Sequence, residues 1–190
     1  MPHDLVIRNG TIVAGTGQPP FAGDIAIDGT KLVAIGEVKD RGRREIDATD
    51  HIVTPGFIDA HTHIRSLDAA KRALESGVTT TRSASTPYFQ DVSIREMVKS
   101  GALVGPDMIA AGVFVTPNLG ETILADTRLG SLHGGVNKED DLRKVVQVNA
   151  QRGVDFIKTH GTERAGLPQT DPRKQTYTES QLKIIVDEAN

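Results

Sequence analysis

The sequence predicts an α/β chain: about 54 residues of short strands, then the first half of a parallel (β/α)₈ barrel. Three observations carry this. Short alternating apolar segments separated by Gly- and Asp-containing turns fill the stretch before Pro55. From Pro55 onward apolar strands alternate with amphipathic helical segments, the pattern of a parallel sheet with helical crossovers. Four such strand–helix units fit into about 135 residues, whereas a complete barrel takes about 250.

The elements follow in order. Leu5–Arg8 reads as a strand running into Asn9-Gly10, a dipeptide suited to a two-residue hairpin turn, with Thr11–Val13 as the returning strand. A second hairpin is expected from Asp24–Ile27 and Lys31–Ile35 about a turn at Asp28-Gly29. The loop from Gly15 to Pro20 separates the two, and Gly42-Arg43-Arg44 reads as a solvated connector. The first barrel strand is Phe57–His63. A helix capped by Ser66 follows, with Leu67, Ala70 and Leu74 on one face and Gly77 as its terminator. Val78–Arg82 is the second strand; Asp91 is expected to cap a helix carrying Ile94, Met97 and Val98; Met108–Val113 is the third strand.

Residues 114–136 show little periodicity, and a loop of that length is usually functional or mobile. A third helix from about Asn137 should bury Leu142, Val145, Val146 and Ala150 before Gly153 ends it. Val154–His160 is the fourth strand. Thr178 and Gln181 form a capping box for a last helix with Leu182, Ile185, Val186 and Ala189 at helical spacing. Half a barrel has two open parallel edges, an aggregation hazard, so the sequence reads as the front half of a longer protein.

Composition narrows the function classes. The 190 residues are 37% hydrophobic and 25% charged, with a net charge of -3, which favours neither nucleic acid nor an anionic membrane. No apolar run approaches ~18 residues, and Met1-Pro2-His3-Asp4 lacks the basic start of a signal peptide. Cysteine is absent, which excludes disulfides and thiolate ligands and fits a reducing compartment; cytoplasm is the expected location.

His61 and His63 stand two apart on a predicted strand, so both imidazoles point to one side, the interior of a barrel near the strand's C-terminal end. Neutral imidazole is the commonest metal ligand, although a His-x-His pair alone also occurs without metal. Asp59 shares that face; a buried structural carboxylate is favoured over one orienting a histidine. Lys158 shares a face of the fourth strand with Val154, Phe156 and His160. A buried ammonium is costly unless paired, neutralised or extended to solvent. Carbamylation by carbon dioxide is another solution, giving a carboxylate-like group able to bridge two metal ions.

The segment Val53-Thr54-Pro55-Gly56-Phe57-Ile58-Asp59-Ala60-His61-Thr62-His63 closely resembles the strand-one motif of the amidohydrolase superfamily. Asp4–Val13 and Gly23–Ile27 resemble that superfamily's N-terminal β-sandwich strands. Gly77–Arg82, Gly105–Met108 and Gly153–Lys158 resemble its imidazolonepropionase-like and prolidase-like branch. The resemblance implies residues 1–54 as part of a composite β-sandwich and 55–190 as the first four βα units of a hydrolase barrel. It implies His61 and His63 as metal ligands, with a carbamylated Lys158 bridging to a second ion. One or two divalent ions are expected, zinc first, with manganese, iron or cobalt also fitting. Further histidines, and the aspartate that acts as general base, are expected beyond residue 190.

Ser83 stands where the branch has an acid after the strand-two arginine, and the stretch between His63 and Gly77 is short. His160 falls where the branch varies, and His133 reads as a surface residue. The activity implied is activated-water hydrolysis of an amide or related C–N bond in a small molecule. Two alternatives stay open at this stage: a non-catalytic interaction module, and a half-barrel completed by a partner chain. A homo-oligomer would still lack the aspartate.

Overall fold

The computed structural model describes residues 1–166 and 168–190. The chain forms two compact units, Met1–Gly56 and Phe57–Asn190.

In the first unit β1 (His3–Ile12) lies at the centre of the sheet. β2 (Phe21–Asp28) pairs antiparallel with it, and β3 (Lys31–Gly36) pairs antiparallel with β2. On its other side β4 (Gly42–Asp47) and the short β5 (Ile52–Val53) run parallel to it. The β2–β3 hairpin forms as the sequence predicts, but its turn falls one residue later, at Gly29-Thr30 with Gly29 at φ +58°, because Asp28 still pairs with Lys31 at the end of β2.

Asn9-Gly10 is not a turn. β1 runs straight through it, and its pairing with β2 shifts between Ile7 and Gly10, which makes a bulge. The hairpin turn expected there needs positive φ at both residues, yet only Asn9 (φ +61°) has it. The Asn9 amide donates to Asp24 Oδ1 at 2.9 Å, which holds the bulge. Gly10 serves close approach instead: a Cβ there would lie 2.6 Å from Val53 Cγ2. Gly42-Arg43-Arg44 is likewise not a connector but the start of β4. Its side chains are mostly exposed, so no apolar alternation marks the strand. Val6, Ala26 and Val38 form a small core, with Ala34 against it. The sheet also carries an apolar groove lined by residues such as Ile7, Ile12, Ile25, Leu32, Ile35 and Val53.

The second unit holds a parallel sheet in the order β6 (Phe57–Thr62), β7 (Val78–Ser83), β8 (Asp107–Ala110). α1 (Leu67–Glu75) and α2 (Gln90–Lys99) make the crossovers. Ser66 caps α1, its Oγ accepting from the Ala69 amide at 3.1 Å, and Gly77 ends that turn at φ +88°. Ala70 is buried as expected, while Leu67 is exposed.

Asp91 does not cap α2; Phe89 occupies that position in a left-handed conformation. The Asp91 side chain is instead buried and faces backbone amides across the unit.

The fourth strand is also absent as a regular element. Val154–His160 joins the sheet through an isolated parallel bridge between Val115 and Thr159. The cause lies in the chain after β8, which turns at Gly112 (φ +68°) and cannot continue a straight ladder. Two anchors replace the ladder. Asp155 exchanges bonds with Ala110 at 2.8 Å, and the Val115 amide donates to Lys158 O at 2.9 Å. Arg95, buried on α2, pairs with Asp155 and donates to Gly153 O at 2.7 Å.

The aperiodic stretch 114–136 is folded, with 3₁₀ turns at Gly120–Ala125 and Thr127–Leu132. It buries Val115, Leu119, Leu129, Leu132 and Val136 in the unit's main core, against Leu142 and Val145 of α3 (Glu139–Gln151), Tyr177 and Ile185. Each fully buried Leu or Val there contributes about 1.5–3 kcal/mol. On α3, Val148 and Asn149 are buried in place of the expected Ala150, which is exposed. The Thr178–Gln181 capping box opens α4 (Glu179–Ala189) as expected. Ile185 packs inward and Val186 lies exposed, with the partly buried Ile184 against the core in its place. Arg143 and Gln147 both reach Glu188, at 2.6 and 2.7 Å, and tie α3 to α4.

Candidate metal centre

His61 is the second-to-last residue of β6 and His63 follows the strand directly, so its two-residue period turns both rings to one side. Their ring centroids are 5.5 Å apart. Two imidazole nitrogens each about 2.0–2.1 Å from one tetrahedral ion would place the ring centres ~5 Å apart. The pair therefore fits a shared ion.

His63 Nδ1 lies 2.7 Å from the carbonyl oxygen of Ser85. A carbonyl can only accept, so Nδ1 carries the proton and the Nε2 lone pair is left for a ligand. That carbonyl is itself held in place. Ser85 has φ +94°, a conformation costing about 1–3 kcal/mol for a residue with a side chain. The Ser85 hydroxyl and the Thr86 amide both donate to Gly112 O, at 2.7 and 2.8 Å. The Ala111 and Gly112 amides each donate to Asp91 Oδ2 at 3.2 Å, while the Thr86 hydroxyl donates to Asp91 Oδ1 at 2.8 Å. Burial pushes the Asp91 carboxyl above its ordinary pKa, and these hydrogen bonds oppose that rise. The loops after β7 and β8 are thus locked together behind His63.

Asp59 is exposed rather than buried, and its Oδ1 accepts from the His61 amide at 3.1 Å. It finishes its own strand and holds no imidazole among the described residues.

His61, His63 and Lys158 line one cavity of about 180 Å³, with Arg65, Phe114, His160 and Arg164 completing its wall. The backbone places Lys158 there through the Val115 bond to its carbonyl and the Thr159 hydroxyl bond to Val115 O at 2.9 Å. Lys158 has no acidic partner among the described residues, so the ion-paired alternative for its ammonium is not what this structure holds. His160 packs on Phe114, ring centroids 4.5 Å apart; burial first, then the charge of Lys158, pushes its pKa down. His133 is exposed, as expected. Among the described residues no three His, Cys, Asp or Glu side chains gather at one point, so the site rests on two histidines and a lysine.

Sequence reasoning did not single out Arg65, Phe114 or Arg164. Arg65 carried a signal, since it continues the two-residue spacing of His61 and His63. Phe114 and Arg164 lie in segments without period and left none.

Comparison with known proteins adds an independent line. Allantoinase from Salmonella choleraesuis is 45% identical over 64 residues, which is 34% of this chain and 14% of that protein. Adenine deaminase from Bacillus velezensis is 43% identical over 82 residues, 40% of this chain and 14% of that protein. Among solved structures, a prolidase complexed with N-methylphosphonate-L-proline superimposes over 97% of this chain and 53% of its own, with TM-score 0.75 and 23% identity. A molinate hydrolase matches 99% of this chain and 51% of its own, with TM-score 0.75 and 20% identity. This chain therefore spans about half the length of the solved structures it matches, and at those identities the likeness establishes the fold. The amidohydrolase family model matches residues 52–190, most of the chain, and the chain belongs to the amidohydrolase family.

Proposed function

We propose that this chain supplies the first ligands of a divalent-metal centre in an enzyme that hydrolyses an amide or related C–N bond. The observation that carries the reading is the pair of imidazoles 5.5 Å apart, one fixed in its tautomer by Ser85 O, opening into the cavity that Lys158 also lines. His61 and His63 would hold a divalent ion, zinc by preference for nitrogen and carboxylate-type ligands. A carbamylated Lys158 would extend the site toward a second ion. When bound, the ion lowers the pKa of a water toward ~7 and polarises the scissile carbonyl.

The protein's own residues do the rest. Ser85 O keeps the His63 proton on Nδ1, so that ring does not compete for the reaction's proton. Phe114 packs against His63, with ring centroids 6.1 Å apart, and dries that wall. None of the described residues lining the smaller cavity is acidic, so the carboxylate that takes the water's proton is expected from outside these residues.

The same reading takes β6, β7 and β8 with their helical crossovers as the leading units of a (β/α)₈ barrel, whose sites form at the strands' C-terminal ends. It takes Met1–Gly56 as part of a composite β-sandwich, a role that its apolar groove supports.

The test is a zinc titration of the 190-residue protein by calorimetry, repeated on His61→Ala, His63→Ala and Lys158→Ala. Each histidine variant should lose more than the ~10–100-fold that follows from removing a ligand's hydrogen-bond partner. Wild-type affinity in both would sink the assignment. Lys158→Ala should lower the number of ions bound in bicarbonate buffer; an unchanged count would make Lys158 structural.

A further inference from the structure

We infer that Arg82 is a positioning residue of this centre: it braces the wall that carries His61 against the wall that carries Lys158. Each wall is irregular where its site residue stands. The pairing of β6 with β7 shifts between Asp59 and Thr62, and His61 lies inside that break. The segment 154–160 meets the sheet through the isolated bridge between Val115 and Thr159. A regular ladder fixes the spacing of its strands and the face each side chain takes. At these two places another contact has to do so.

Arg82 reaches both. Thr81 and Ser83 of β7 are fully buried, so the strand's alternation turns Arg82 to the opposite face of the sheet. From there its Nε donates to the Ala60 carbonyl oxygen at 2.7 Å, inside the β6 break. Ala60 and His61 share that peptide group, so the bond holds the backbone from which the His61 ring projects. On its other side the guanidinium carbon stands 5.8 Å from the centroid of the Phe156 ring, within the ~6 Å reach of a cation–π contact. Among the described residues no carboxylate pairs with Arg82, and the carbonyl and the ring are its side-chain partners.

The Phe156 contact supplies what the backbone anchors leave free. Asp155 is held at Ala110, and the Lys158 carbonyl accepts from the Val115 amide. Two anchors on one extended stretch set its height but allow it to roll about the line that joins them. Phe156 lies between those anchors, and seating its ring on Arg82 stops the roll, which decides where the Lys158 side chain points. The brace needs both an Nε–H donor and a planar cationic face, and lysine has neither.

This rests on His61, His63 and Lys158 forming the metal centre, so the two readings are tested apart. In zinc titrations in bicarbonate buffer, Arg82→Met and Phe156→Leu should each weaken the Lys158-dependent ion at least about tenfold. Arg82→Lys should not restore it, whereas Phe156→Tyr, which keeps the ring face, should. The double variant Arg82→Met/Phe156→Leu should bind no more weakly than either single one, because the two residues act as a unit. A general loss of packing would instead accumulate in the double variant, and that result, or recovery with Arg82→Lys, overturns the brace. The metal-free protein gives a second readout by amide NMR: Arg82→Met should move the His61 and Lys158 resonances together, and an unmoved Lys158 overturns the proposal. If the wild-type protein takes up no zinc, the metal reading falls while coincident shifts of His61 and Lys158 still support the brace.

Discussion

Gly112→Ala should be among the most damaging single-methyl additions in this protein. Gly112 sits at φ +68°, which costs a residue with a Cβ about 1–2 kcal/mol. The added Cβ would lie 2.5 Å from Asn149 Oδ1, 2.6 Å from Val154 Cγ1 and 2.9 Å from Phe89 Cδ1. Asn149 cannot retreat freely. It is fully buried, its Oδ1 accepts from the Val113 amide at 2.9 Å, and its Nδ2 donates to Val113 O at 3.1 Å and Val145 O at 3.0 Å. Pushing it aside strands the buried Val113 groups at about 1–3 kcal/mol each. The sum is about 4 kcal/mol or more, a large share of a typical domain's stability.

Gly101→Ala is the matched control, because Gly101 has φ +75° and nothing within 4 Å of its Cβ position. It should cost about 1–2 kcal/mol, from backbone strain alone. The assay is urea unfolding followed by tyrosine fluorescence. Tryptophan is absent and both tyrosines, Tyr88 and Tyr177, lie in the unit Phe57–Asn190, so the signal reports that unit alone. Equal destabilisation by the two substitutions would refute the packing argument. Gly112→Ala should also weaken zinc binding, because Gly112 O holds Ser85 and Ser85 O holds His63.

Two further outcomes follow from the buried carboxylates. Asp126, almost wholly buried, accepts from Arg128 and Arg152, which hold its carboxyl well below the ordinary carboxylate range. A depressed folded pKa means that its stabilisation is present above the unfolded value near pH ~4 and is lost as pH falls toward the folded value. Asp126→Asn should therefore flatten the acid dependence of the tyrosine-monitored transition below pH ~4; an unchanged slope would assign that dependence to other acids. Asp91→Ala should cost about 2–4 kcal/mol by unpairing the Ala111 and Gly112 amides, and Asp91→Asn, which keeps an acceptor, should cost less. Equal losses in urea midpoint would show that charge, not the acceptor oxygen, is what the loops need.

The elements legible in the sequence are those whose determinants lie within a few residues of each other. The β2–β3 hairpin needs only Asp28 and Gly29 to bring the chain round between two apolar runs, its turn falling at Gly29-Thr30, and α1 and α4 need only Ser66 and the Thr178–Gln181 pair. His61 and His63 belong to this group, because a strand's two-residue period fixes their common side without reference to the rest of the fold. The misreadings share the opposite property. Asn9-Gly10 has the composition of a turn, and what makes it a bulge is Asp24 and Val53, 15 and 43 residues away along the chain. Asp91 has the composition of a cap, and its partners are Ala111 and Gly112. β4 is a strand because β1 offers it a parallel edge, while its own exposed charged side chains carry no alternation.

The fourth-strand segment shows why that division matters for function. Seven residues with strand composition make one isolated bridge, because Gly112 turns the partner chain through a left-handed conformation. A regular ladder would place Lys158 by register alone; here Asp155 against Ala110 and Val115 against Lys158 set its height instead. The same left-handed residue presents the carbonyl that holds Ser85, and through it the tautomer of His63. One backbone irregularity thus controls both walls of the cavity: the histidine side through Ser85 and the lysine side through the broken ladder. Two imidazoles are encoded by spacing, but their alignment with Lys158 is encoded by a glycine about fifty residues further along the chain. A methyl group at Gly112 would therefore disturb the two sides together, and substitution of His133, which holds neither side, would leave the alignment intact.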